Sequence, residues 1–278
     1  MARGGPFDQE RELPTEVLKQ LRAQYHLDES ILQQYYRSLE NLFHGEFGPS
    51  FAYRGVSVSD ILADALPISL ALGFGALLLA LLLGLPTGIL SAWKKNTKTD
   101  ASLRTLSSLL LALPNFVLAG LAISLFSFTL EWLPPAGSGG IRHQILPTLC
   151  LGLPFAAQIF RLARNEALSA LQSAPTRTAR AKGLPEAKVL QRHVFPRTLV
   201  PIVAFLGPAT AGILTGSLVI EQVFALPGLG SHFVQSALNR DYTLSLGITV
   251  LYTALLGTLT FFADVLLARL DPRIQSLR

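Results

Sequence analysis

The sequence predicts an all-α, polytopic integral membrane protein with five membrane spans, and three observations carry that prediction. Half of the 278 residues are apolar, only 15% are charged, and the mean hydropathy of +0.43 is too high for a soluble domain of this length. The apolar residues come in blocks: five stretches lack Asp, Glu, Lys and Arg altogether, namely Ala65 to Trp93, Thr105 to Leu130, His143 to Phe160, Thr198 to Ile220 and Tyr242 to Ala263. Each approaches the roughly 20 residues that a helix rising about 1.5 Å per residue needs to cross about 30 Å of hydrocarbon. Buried helices of a soluble protein would need amphipathic partners to cover them, and the chain has too few.

The segment before the first block, residues 1–64, holds six basic and ten acidic residues and is predicted to be helical. Ile31, Leu32, Tyr35, Tyr36, Leu39, Leu42 and Phe43 recur at helical spacing, with Asp28 as the expected N-cap and Gly45 as the stop. Val17, Leu18, Leu21 and Tyr25 suggest a shorter helix begun after Pro14. Packing on outer loops or at the headgroup level accounts for both helices more simply than a substrate contact does.

The first span runs into Lys94-Lys95-Asn96-Thr97-Lys98-Thr99-Asp100 and Arg104, a basic connection expected in the cytoplasm. The second span returns through the weakly charged Glu131 to Arg142. Pro147 and Pro154 are expected to kink the third span, which is short. There follows the loop Arg161 to Arg197, with eight basic and two acidic residues, on the same side as the first loop. After the fourth span, Glu221 to Asp241 faces out, and the fifth span leads to a tail carrying Arg269, Arg273 and Arg278 inside. All connections agree with one orientation, so the pI of about 9.6 reflects the positive-inside rule rather than nucleic-acid binding. The expected organisation is an extracytoplasmic segment 1–64, a transmembrane domain 65–269 containing the cytoplasmic loop 161–197, and a cytoplasmic tail 270–278. The same parity places residues 1–64 outside without a span to carry them there, so a further helix upstream of Met1 is expected.

The most informative stretch runs from Arg177 to Pro196. Ser173 and Pro175 can open a short helix whose last turn carries Arg180 and Lys182, cations suited to the negative end of the helix dipole. Gly183 supplies a left-handed cap, Pro185 can start a second helix, and Pro196 and Pro201 are expected to bend the chain into the fourth span. A well-capped basic loop with no further role would show the same features.

This stretch resembles the EAA loop of binding-protein-dependent ABC permeases. The triplet, the downstream Gly and the later Pro of that loop correspond to Arg177-Thr178-Ala179, Gly183 and Pro196. The departures are Arg177 and Thr178 in the triplet, and His193 and Phe195 where the family pattern has Ile-x-Leu. The Arg-Thr-Ala-Arg-Ala-Lys-Gly-Leu form, ending at Leu184, resembles the peptide and nickel branch. So do Thr215 to Glu221, Leu226-Pro227-Gly228-Leu229-Gly230 and Asn239-Arg240-Asp241-Tyr242. His44 to Phe51, with Pro6-Phe7 and Tyr25-His26-Leu27, looks most like the oligopeptide permease. The resemblance covers nearly the whole chain and starts just after the first of the family's six transmembrane helices.

The resemblance implies the fold of a type I ABC importer transmembrane domain. It also implies half a channel, paired with a homologous second permease, driven by two cytoplasmic ABC ATPase subunits and supplied by an extracytoplasmic peptide-binding protein. Arg177, Thr178, Ala179, Arg180, Lys182, Gly183, Leu184 and Pro196 would couple the chain to the ATPase, with the short helix around Ala179 in an ATPase cleft. Same-family alternatives are permeases for dipeptides, glutathione or nickel. The rival class, an ion-coupled secondary transporter or channel, would need several mid-depth ionisable groups. Glu221 and Asp264 instead stand at span ends.

Pro227, Gly228 and Gly230, with Glu221 nearby, read as a gate or pathway turn rather than a phosphate loop, since no strand precedes them. The chain has no G-x-x-x-x-G-K-[ST] motif, so ATP would be bound by partner subunits and no cofactor by this chain. No nucleophile with a base and no acid/base pair is recognisable, which points to a non-enzyme. The lone Cys150 and five scattered histidines offer no metal site. Gly84 to Gly88 and Gly212 to Gly216 are G-x-x-x-G spacings expected to pack helices within the chain.

Overall fold

The computed structural model describes residues 30–53 and 55–270, and these residues are overwhelmingly α-helical. The helices are α1 (Ile31–Phe43), α2 (Val58–Trp93), α3 (Lys98–Ala112), α4 (Asn115–Ala122), α5 (Ile141–Gln172), α6 (Ala174–Ala181), α7 (Glu186–Val189), α8 (Phe195–Val223), α9 (Leu229–Leu238) and α10 (Tyr242–Leu270). Wider π-helical turns extend α4 over Ile123–Thr129 and join α7 to α8 over Leu190–Val194. Among the described residues, four helical runs are long and apolar enough to cross a membrane: Val58–Trp93, Ile141–Gln172, Glu186–Val223 and Tyr242–Leu270. The expected number of five is reached if α3 and α4 with its extension count as one bent span.

This bent pair corrects the simple picture of a straight second span from Thr105 to Leu130. Its two parts meet at an angle of 106° across Leu113 and Pro114. Proline lacks an N–H and disfavours helical backbone in the residue before it. Leu113 accordingly leaves the helix at φ −90°, ψ 127°. The third span is one continuous helix. Pro147 and Pro154 lie inside one helix that extends from Ile141 to Gln172, so the apolar stretch covers only part of a longer element. Nor does the chain break at Pro196 or Pro201. Pro196 stands in the first turn of α8, where a missing N–H costs little, and the run from Glu186 to Val223 continues through the π-helical turn.

The chain divides into two compact units. One comprises the described residues up to Ile68 together with Pro227–Thr253; the other comprises Ser69–Leu226 with the described residues from Ala254 onward.

In the first unit, α1 is capped by Ser30, not by Asp28, which lies outside the described residues, as does the helix expected after Pro14. Ser30 and Gln33 form a reciprocal capping box: the Gln33 amide donates to Ser30 Oγ at 3.4 Å, and the Ser30 amide to Gln33 Oε1 at 3.1 Å. The chain then folds into a narrow loop closed by Ser50 N–H donating to Val56 O (3.1 Å) and Val58 N–H to Gly48 O (3.0 Å). The fully buried Asp241 fastens that loop to the start of α10. Its carboxylate accepts from the Ser50 hydroxyl, the Ala52 amide (3.1 Å), the Thr243 hydroxyl (2.9 Å) and the Leu244 amide (3.1 Å).

In the second unit, α5 packs most extensively against α8 and also contacts α3 and α4. Small residues let α2 approach α5. A Cβ built on Gly84 would lie 2.5 Å from Ala156 O, and one on Gly152 would lie 2.8 Å from Ala76 O. A Cβ built on Gly212 would lie 3.0 Å from the Phe155 ring, and one on Gly216 would lie 3.2 Å from Leu151. Both G-x-x-x-G spacings therefore serve packing within the chain.

Candidate functional site

The stretch singled out in the sequence folds as two helices around a tight turn, and each boundary has a local cause. Ser173 takes extended backbone (φ −70°, ψ 154°) and Pro175 stands in the first turn of α6. The Ser173 and Thr176 hydroxyls both donate to the carbonyl of Ala170, each at 2.7 Å, and so tie the start of α6 to the end of α5. At the other end, Gly183 adopts φ +78°. Its N–H donates to Arg180 O at 2.9 Å and that of Leu184 to Ala179 O at 3.1 Å, the paired bonds of a Schellman cap. Pro185 caps α7. Across the turn, Arg180 grips Glu186 with two parallel bonds, Nε to Oε1 at 2.7 Å and Nη2 to Oε2 at 3.1 Å.

The structure brings seven of the eight predicted coupling residues together in this element. Arg177, Thr178, Arg180, Lys182 and Gly183 are exposed, Leu184 is half-buried, and Ala179 is buried. Ala179 thus faces the chain's own interior, where a small side chain lets α6 lie close to the following segment. The free surface of α6 is basic and polar. Pro196 stands apart, exposed at the start of α8. No atom lies within 4 Å of a Cβ built on Gly183, so this glycine is required by its left-handed backbone and leaves open space above the turn.

Glu221 occupies the last turn of α8 and is fully buried; the Ser69 hydroxyl donates to its Oε1 at 2.8 Å. Pro227 is exposed, while Gly228 and Gly230 are buried at the N-terminus of α9, with Gly228 in ordinary extended backbone (φ −96°, ψ 179°). The turn is therefore the start of a helix.

Sequence reasoning missed a buried ion pair. Asp100, in the first turn of α3, is fully buried and accepts from Arg164 of α5 at both oxygens, Nε to Oδ1 at 2.9 Å and Nη2 to Oδ2 at 3.0 Å. Ser91, near the end of α2, donates to Oδ1 at 2.6 Å. Nothing in the spacing of residues so far apart announces this contact.

A binding-protein-dependent transport system inner membrane component model matches residues 84–276, which includes this whole element. The chain belongs to that family. It is 43% identical over 277 residues to the oligopeptide transport system permease protein OppB of Escherichia coli (strain K12), covering 99% of this chain and 90% of that protein. It is 39% identical over 272 residues to the dipeptide transport system permease protein DppB of Bacillus subtilis (strain 168), covering 98% and 88%. Two solved structures share the fold at low identity. An inward-facing MetNI methionine ABC transporter gives a TM-score of 0.66 at 18% identity, over 76% of this chain and 96% of that one. An amino acid ABC transporter solved with histidines gives 0.57 at 17%, over 76% and 94%. The family match and the apolar helices make this a multi-pass inner-membrane permease.

Proposed function

We propose that this chain forms half of the translocation pathway for oligopeptides delivered by an extracytoplasmic binding protein, and that two separate cytoplasmic ABC ATPase subunits drive it. The observation that carries the reading is the 43% identity to an oligopeptide permease over 99% of the chain. The capped helix Ala174–Ala181, which offers Arg177, Thr178, Arg180 and Lys182 to a partner, supports it. A homologous second permease completes the pathway.

In this reading the loop 161–197 and the tail 270–278 are cytoplasmic and residues 1–64 extracytoplasmic, on the strength of the basic excess in the loops. Closure of the ATPase pair pushes on α6. The Gly183 turn and the Arg180–Glu186 grip keep α6 and α7 in register, Ala179 and Leu184 seat them, and Pro196 starts the span that follows. Glu221 and the turn at Pro227, Gly228 and Gly230 line or gate the outer end of the pathway. ATP is bound and hydrolysed by the partners, and this chain catalyses no reaction.

The test is co-reconstitution of the chain with its second permease, ATPases and binding protein in vesicles. Uptake of a labelled oligopeptide is expected to need ATP and the binding protein and to survive collapse of ion gradients. Uptake that persists without ATP but stops with the gradient would transfer the chain to the ion-coupled class. A cysteine placed at Lys182 is expected to react only with reagent on the ATPase side.

A further inference from the structure

We infer that Asp100, Arg164 and Ser91 form a positioning joint that makes α2, α3 and α5 move as one body with the coupling helix α6. The inference rests on the proposed function, since it concerns how motion delivered to α6 reaches the spans.

The joint sits where three helices meet, and every bond of the carboxylate is accounted for. Asp100 Oδ1 accepts from Ser91 and Arg164; Oδ2 accepts from Arg164 and from the Asn96 amide at 3.0 Å. That last bond holds Asn96 in a left-handed conformation (φ +64°), so the connection between α2 and α3 is folded onto the same carboxylate. Arg104 approaches Oδ1 only to 3.6 Å, with its side chain about half exposed (54%), and is peripheral. Asp100 is fully buried and the Arg164 side chain only 14% exposed. Burying two charges is costly, and an apolar pair of similar size holds helices together at least as well. A bidentate pair adds what an apolar contact lacks, a fixed direction and register.

The route from α6 to this joint is rigid. α5 continues for eight residues beyond Arg164 to Gln172, about 12 Å along its axis at 1.5 Å per residue, and α6 begins after Ser173. Thr176 and Ser173 bind it to the Ala170 carbonyl. Between these points Ala167 and Ala170 of α5 form a buried cluster with Ala92 of α2 and Val194. Immediately before Arg164, Ala163 lies against Gly88 with no room for a methyl group on the glycine. The π-helical turn that leads into α8 contributes Val194 to the same buried cluster. A push on α6 therefore carries α5, and through the joint α2 and α3.

The experiment uses the complete transporter in vesicles and reads peptide imported per ATP hydrolysed. Asp100→Asn and Arg164→Gln are expected to lower that ratio by about tenfold, a typical allosteric coupling, with the complex still assembled by co-purification. Arg164→Lys, which keeps the charge but not the two-pronged contact, is expected to recover part of the ratio. A purely structural pair predicts less assembled complex with an unchanged ratio in what assembles. An unchanged ratio in both Asp100→Asn and Arg164→Gln overturns the joint. If either fails to assemble, Ser91→Ala, which removes one bond and leaves the ion pair, decides: a ratio lowered by about twofold or more is expected, and an unchanged ratio overturns the joint. Failure of the unmodified complex to couple uptake to ATP would strike the proposed function instead.

Discussion

Gly88 of α2 faces Ala163 of α5 so closely that a Cβ on Gly88 would lie 2.6 Å from the Ala163 Cβ and 2.7 Å from the Phe160 carbonyl. The two helices touch through backbone here, and the atoms in the way cannot swing aside. Gly88→Val should therefore cost about 1–3 kcal/mol through overpacking. Gly257→Ala, at a position with nothing within 4 Å, should be neutral or slightly stabilising. Thermal unfolding of the two variants in detergent checks the contrast, and equal midpoints would show that α2 does not rest on α5.

Gly183 presents the opposite case, with free space but a forbidden backbone. Gly183→Val keeps every contact within the chain and forces a β-branched residue to φ near +78°, a local penalty of about 1–2 kcal/mol. The Schellman bonds to Arg180 and Ala179 should loosen while all spans still insert. Expression and complex assembly are expected to stay near normal and ATP-driven uptake to fall sharply. Normal uptake would remove the argument that the geometry of this turn matters.

How much of this was legible follows from which forces are local. The Ser173 start, the Gly183 stop and the small-residue spacings at Gly84 and Gly212 depend on residues within a few positions, and the structure has each as expected. The fold class follows from hydropathy alone. The break at Pro114 does not show in hydropathy because Thr105 to Leu130 is uncharged on both sides of it, and composition does not register a change of direction. The burial of Ala179 is not legible in the sequence, because it depends on how α6 lies against the segment after Gly183. Asp100 with Arg164, and Ser50 with Asp241, are pairings made by the tertiary fold; no periodicity connects them.

The Asp241 carboxylate should give the first unit a dependence on pH with a definite sign. Burial works to raise its pKa, but hydrogen bonds from Ser50, Leu244, Ala52 and Phe51 outweigh it, and the group sits below its ordinary value. A depressed folded pKa contributes stability that is complete above the unfolded value of about 3.9 and is lost as pH falls through the folded one. Proteolysis of the loop from Gly48 to Val58 is thus expected to be flat from neutral pH to about 5 and to accelerate below about 4. Asp241→Asn should turn an amide NH2 toward donors already present, cost about 1–3 kcal/mol at neutral pH, and flatten the acid limb.

The Arg180–Glu186 grip looks strong by its distances, yet both side chains are about two-fifths exposed (40% and 44%). Solvent screening should hold its contribution to about 0.2–1 kcal/mol. Glu186→Gln is expected to shift the thermal midpoint little, with the small difference vanishing in high salt. A large loss of stability would mean that a partner or the rest of the loop shields the pair.

Ser69 and Glu221 allow the sharpest separation of hydrogen bonding from charge. The Ser69 hydroxyl donates to Glu221 Oε1 in a fully buried setting, and a glutamine at 221 keeps an acceptor in the same place. Glu221→Gln should therefore stay within about 1 kcal/mol of the parent, whereas Ser69→Ala withdraws a donor from a buried carboxyl oxygen and should cost about 1–3 kcal/mol. If the charge on Glu221 is what the C-terminal end of α8 needs, the order reverses and the glutamine variant is the less stable of the two. Thermal midpoints of both variants and of the double variant settle the order, because a double-mutant cycle removes the effects that each substitution has on its other neighbours.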